Sequence, residues 1–188
     1  FLSIVCVHNV TPTLCVDTCD HDVIERYFQL VEALREGTGL WAFSDVNARE
    51  LLNRGFRPEQ VRLVPLIVDD PSPMRLADKQ HSIVNILYMG RIVPAKGLID
   101  LVDAIGRADM ASGSYRLTIA GNTTWSDPVY ISEVKSAIRH YALENHIDFV
   151  GRIDEVEKVR LFRNAHILAI PSYHEGFCVL RLPADRIP

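Results

Sequence analysis

NILYMGRIVPAKGLIDLVDAIGRA, residues 85–108, holds in one passage an apolar run of strand length, a short basic loop and a stretch with helical spacing of its apolar residues. NILYMG reads as a buried strand and AKGLIDLVDAIGRA as the helix that follows it. Between them Gly90 permits a tight turn, Arg91 follows at once, Pro94 suits a helix entry, and Lys96 is expected in the first helical turn. In an open α/β sheet ligands bind outside the carboxyl ends of the strands, and this loop leaves such an end. Two cations at a helix N-terminus oppose the helix macrodipole by roughly 0.3–1 kcal/mol each, and a bound diphosphate would reverse that sign. The alternative reading is a pair of solvated surface cations. A Walker A loop is excluded because Lys96 precedes Gly97 with no Ser or Thr after it, and GxGxxG is absent from the chain.

The same alternation continues on both sides of this passage. After the helix come YRLTIAG (strand), ISEVKSAIRHYALEN (helix), IDFVG (strand), DEVEKVRLFRNA (helix) and HILAIPS (strand). Before it lie LSIVCVH (strand), DVIERYFQLVEALREG (helix), LWAFS (strand), DVNARELLNRGF (helix, with Asp45 as N-cap) and VRLVPLIV (strand). Strands alternating with helices specify an α/β protein with parallel sheets, doubly wound in the second half. The polar, proline-bearing stretch DDPSPMRLADKQHS, residues 69–82, reads as the linker, giving units of 1–70 and 83–188 joined by 71–82.

The chain has 188 residues, 48% of them hydrophobic, and a net charge of −4 with acids and bases interspersed, so no basic stripe points to nucleic acid. FLSIVCV and HILAIP are far shorter than the roughly 20 residues of a membrane span. FLSIVCV has no basic region ahead of it and reads as a core strand of a chain entered midway. Cys6, Cys15, Cys19 and Cys178 are too few and too scattered for a disulfide scaffold, which fits a reducing cytoplasm. CVDTCDH, with Cys15, Cys19 and His21, has metal-compatible spacing but no further ligand cluster, so no metal is expected. His166, at a strand start, is expected to be structural.

Three stretches in order, YMGRIVPAKGLIDLVDAI, RLTIAGN and DFVGRIDEVEKVRLFRNAHILAIPSYHEGF, resemble the nucleotide-binding domain of retaining glycosyltransferases of the group 1, family 4-like kind, with the GT-B fold. AFSDVNARELLNRGF with VRLVPLIVD is similar to the passage leaving that family's acceptor domain, and VHNVTP resembles its histidine loop. The resemblance implies two Rossmann-like domains, the first partial (1–70) and on the acceptor side, the second (83–188) nearly complete and binding a nucleotide-diphosphate sugar. It further implies sugar transfer with retention, to a glycan or lipid-linked acceptor, with no cofactor and no obligatory metal. Peripheral membrane association is compatible with it.

By the same resemblance Arg91 and Lys96 match the basic pair on the donor diphosphate, and Glu175 matches the first acid of a paired-glutamate motif that contacts the transferred sugar. Gly176 and Phe177 match the neighbours whose backbone approaches the donor, and His8 a histidine facing the cleft. Gly90, Asn122 and Arg152, each just after a strand, are candidates to line the donor pocket; the last two are equally readable as a turn residue and a surface charge. The family's second acid falls at Pro183, a departure that predicts weak nucleotide affinity. The rival readings are a non-catalytic nucleotide-sugar-binding remnant and a nucleotide-sugar epimerase of the same fold.

Overall fold

The computed structural model describes residues 3–7, 21–33, 38–64, 83–108, 114–123, 126–173 and 175. They form two compact units, each built on its own parallel sheet. Among the described residues no helix is long and apolar enough to cross a membrane.

In the first unit β1 (Ser3–Val7), β2 (Thr38–Ala42) and β3 (Val61–Leu63) make a parallel sheet in the order β1-β2-β3. Helix α1 (His21–Ala33) connects β1 to β2, and α2 (Asp45–Asn53) connects β2 to β3. Leu40 and Ala42 of β2 pack against Leu51 of α2 and Phe56. The cap of α2 is Ser44 rather than the expected Asp45: the Ser44 hydroxyl accepts from the Asn47 amide at 3.2 Å, and Asp45 is the first helical residue. An acid there still complements the helix dipole, which is why both residues look cap-like in sequence.

The second unit runs β4 (Val84–Met89), α3 (Leu98–Arg107), β5 (Tyr115–Ala120), α4 (Pro128–His140), β6 (Ile147–Gly151), α5 (Glu155–Asn164) and β7 (Ile167–Ala169). All neighbouring strands are parallel, in the order β6-β5-β4-β7. Period-two alternation sends Ile86 and Tyr88 of β4, with Leu117 and Ile119 of β5, into one core against Leu98, Val102 and Ile105 of α3 and Val134 and Ile138 of α4. Leu87 and Ala120 face the other way, onto Leu161 and Phe162 of α5. Helices therefore cover both faces, and the sheet is doubly wound as the alternation of elements predicts.

Leu117 is fully buried in the larger core. Leu117→Ala is expected to lower unfolding free energy by about 2–5 kcal/mol, a large part of a typical domain's total, read as a shift in the urea midpoint at constant slope.

The strand order sets where a ligand would meet this unit. Succession runs outward from β4 through β5 to β6, then jumps back across β4 to place β7 on its far side. The crevice at the carboxyl ends of β4 and β7 is thus the topological switch point.

Candidate active site at the sheet switch point

The structure gathers five of the predicted residues along one sheet edge. Gly90 and Arg91 follow β4, Asn122 lies just past β5, Arg152 just past β6, and Lys96 closes the loop between β4 and α3. Arg91 and Arg152 are exposed, while Lys96 and Asn122 are half-buried.

Backbone bonds hold this edge together. The Gly90 amide donates to Ala120 O at 3.0 Å and the Gly121 amide to Gly151 O at 2.9 Å, tying the ends of β4, β5 and β6. Gly121 permits the approach, since a β-carbon there would lie 2.3 Å from Gly90 O. The Tyr88 hydroxyl, from a buried position in β4, donates to Arg91 O at 2.7 Å and fixes the start of the loop. The Ser126 hydroxyl reaches Asn122 O at 3.5 Å.

Lys96 differs in setting from the sequence expectation. Pro94–Lys96 is a separate 3₁₀ turn, closed by Lys96 N to Val93 O at 3.0 Å and Gly97 N to Pro94 O at 2.9 Å. Gly97 then takes a left-handed conformation (φ 62°) as the N-cap of α3, so Lys96 precedes the helix rather than lying in its first turn. The reversal costs a β-carbon-free residue at Gly97, which also carries no side chain to cap the helix amides. Lys96 and the N-terminal end of α3, whose N-cap residue supplies no side-chain hydrogen bond, are left adjacent, the combination that attracts an oxyanion.

The segment leaving β7 meets this loop. Tyr173 N donates to Ala95 O at 3.1 Å, the Tyr173 hydroxyl donates to Asp100 Oδ2 at 2.6 Å, and a β-carbon on Gly97 would lie 2.2 Å from Pro171 O. The bond to the Asp100 carboxylate holds the Tyr173 phenol above its ordinary pKa range. Nearby, burial raises the Tyr130 phenol. Its hydroxyl lies beside the Ile99 and Leu98 amides without hydrogen-bond geometry and has no other partner among the described residues. These contacts are absent from any local sequence signal: Tyr173 and Asp100 are 73 positions apart.

Glu175 is half-buried and groups with the first unit. His8, Gly176, Phe177, Pro183, Cys15 and Cys19 lie outside the described residues, as does the side chain of His21. Among the described residues no group of three or more His, Cys, Asp or Glu could hold a metal ion. His166 makes a backbone clamp: its Nδ1 accepts from the Asn85 amide at 3.0 Å and its own amide donates to Asn85 O at 2.8 Å. A separate hollow of about 480 Å³ lies on the sheet face beside α5, lined by Asn85, Arg116, Thr118, Asp148, Arg160 and Asn164, away from the strand ends that carry the loops.

Two parallel α/β units, one of them with a loop-lined switch point, are the architecture shared with solved glycosyltransferases of the GT-B fold. The chain superposes on Anabaena Alr3699/HepE in complex with UDP and glucose, with a TM-score of 0.76 at 17% identity, covering 97% of this chain and 50% of that one. It also superposes on sucrose-phosphate synthase from Thermosynechococcus elongatus, with a TM-score of 0.75 at 19% identity, covering 96% of this chain and 47% of that one. Residues 73–182 match the family described as glycosyl transferases group 1, and the chain belongs to that family. It is 32% identical over 100 residues to glycogen synthase of Mycobacterium tuberculosis, covering 53% of this chain and 23% of that protein. To D-inositol 3-phosphate glycosyltransferase of Kineococcus radiotolerans it is 28% identical over 171 residues, covering 84% of this chain and 39% of that protein. The chain therefore spans well under half the length of these curated relatives.

Proposed function

We propose that this chain supplies the donor half of a retaining glycosyltransferase that moves a sugar from a nucleotide-diphosphate sugar to a glycan or lipid-linked acceptor. The observation that carries the reading is the pairing of Arg91 and Lys96 on the loop out of β4, next to the amide end of α3 at the switch point. As the bond from the anomeric carbon to the diphosphate oxygen breaks, negative charge accumulates on the departing nucleotide. Fixed cations and amides stabilise that charge without reorganising, commonly the largest single contribution to rate.

In this reading Gly90, Asn122 and Arg152 line the donor pocket along the same edge. The family resemblance alone assigns Glu175, Gly176, Phe177 and His8 to the transferred sugar. The chemistry needs no metal, since Arg91 and Lys96 supply the positive charge a cation would otherwise bring. The scattered cysteines favour a cytoplasmic setting, and lipid-linked acceptors would draw the enzyme to a membrane surface.

UDP- and GDP-sugars incubated with the intact protein and an acceptor glycan test this. Proton NMR of the new linkage is expected to show the donor's anomeric configuration preserved. An inverted product would overturn the mechanism. Donor binding without transfer or hydrolysis would favour the non-catalytic remnant, a reading prompted by Pro183 standing where the family's second acid falls.

A further inference from the structure

We infer that Tyr173 is a positioning residue for the donor diphosphate: from the segment that leaves β7 it tethers the Asp100 carboxylate and, with Pro171, clips the loop that presents Lys96. The inference rests on the donor-site reading above. Three contacts from residues 171–173 fall on positions 95, 97 and 100, on both sides of Lys96: the Tyr173 amide on Ala95 O, the Pro171 carbonyl over Gly97, and the Tyr173 hydroxyl on Asp100 Oδ2.

Asp100 is an acid in the first turn of α3, and its Oδ2 lies 3.4 Å from where a Gly97 β-carbon would stand. An acid in the first turn suits the helix alone, but beside an arriving diphosphate it is a like charge at short range. A hydroxyl donated to that carboxylate at 2.6 Å disperses its charge and fixes its rotamer. Tyr173 is 63% exposed, so its ring contributes little burial and its removal need not disturb the core.

A double-mutant cycle on the full chain tests this, with Tyr173→Phe, Asp100→Asn and the pair, titrated calorimetrically with UDP and with GDP, and each variant's urea midpoint measured alongside. Y173F is expected to weaken binding of the better nucleotide about fivefold, the scale of one ordinary net hydrogen bond, with an unchanged midpoint. D100N is expected to bind at least as tightly as the wild type, and Y173F is expected to have no further effect in the D100N background. In turnover the loss is expected in donor KM rather than kcat. Unchanged affinity in Y173F overturns the inference, as does an equal loss in both backgrounds, which would mean a merely structural role. Should Y173F unfold, weaker binding by D100N alone would overturn it. A wild-type chain that binds neither nucleotide overturns the donor-site reading and this inference together, whereas wild-type binding with a flat cycle overturns this one alone.

Discussion

Arg91→Ala and Lys96→Ala are each expected to slow sugar transfer by roughly a hundredfold or more, with the double variant retaining little donor affinity. The two cations differ in how they are held. Arg91 extends from a loop start whose carbonyl is pinned by the buried Tyr88, so its backbone is fixed while its guanidinium is exposed and able to meet two phosphate oxygens at once. Lys96 is half-buried on a 3₁₀ turn that ends at the left-handed Gly97, a short distance from the first amides of α3. Arg91→Lys is therefore expected to recover less than Lys96→Arg, because a forked donor is lost in the first and a point charge kept in the second. Steady-state kcat/KM with the cognate donor checks both, and unaltered kinetics in either alanine variant would remove that residue from the site.

Gly97→Ala is expected to cost about 2–5 kcal/mol of stability from two sources that add. Alanine at φ 62° carries roughly 1–2 kcal/mol of backbone strain. Its β-carbon would also stand 2.2 Å from Pro171 O and 3.0 Å from Pro171 C, and relieving such an overlap in packed backbone takes a further 1–3 kcal/mol or so. Because the Pro171 carbonyl belongs to the segment that clips the loop, the displacement falls on Lys96, so donor affinity is expected to drop with stability. Thermal unfolding and nucleotide titration of the same variant separate the two effects. A G97A protein with wild-type stability would mean that the loop and the β7 segment are not in contact as described.

Much of the second unit is legible in the sequence because its central strands β4 and β5 bury most of their apolar residues and its helices are amphipathic. IDFVG matches β6 residue for residue, NILYMG and YRLTIAG fall within one or two residues of β4 and β5, and DEVEKVRLFRNA contains α5 with Asp154 as its cap. The misjudged details are those in which two residues have nearly equal local preference. Ser44 and Asp45 are both good at a helix start, and only the backbone at Ser44 (φ −146°, ψ 159°) decides which one caps. Pro94 opens a 3₁₀ turn as readily as an α-helix, and the left-handed Gly97 is what separates the two. The helix read as beginning near Ala95 therefore begins at Leu98.

The site divides the same way. Gly90, Arg91, Asn122 and Arg152 are legible as residues following strands, and parallel strands bring such positions to one edge, whereas Lys96 is read as a residue of the first turn of α3 and lies just before it. Strand order is not written locally: nothing in HILAIPS says that β7 pairs with β4 rather than β6, and that pairing creates the switch point. The tether from Tyr173 to Asp100 depends on it and has no sequence signature, since neither residue type is unusual where it stands. His8, Gly176 and Phe177 rest on the resemblance to the family alone.

The loop between β4 and α3 is expected to hold a diphosphate. Titration of the full-length protein with UDP and uridine, and with GDP and guanosine, at two salt concentrations tests it directly. One diphosphate is expected to bind at least tenfold tighter than its nucleoside, with that advantage shrinking as salt rises and disappearing in the Arg91→Ala, Lys96→Ala double variant. Nucleoside and diphosphate binding equally, or a phosphate-dependent advantage that survives in the double variant, would contradict it.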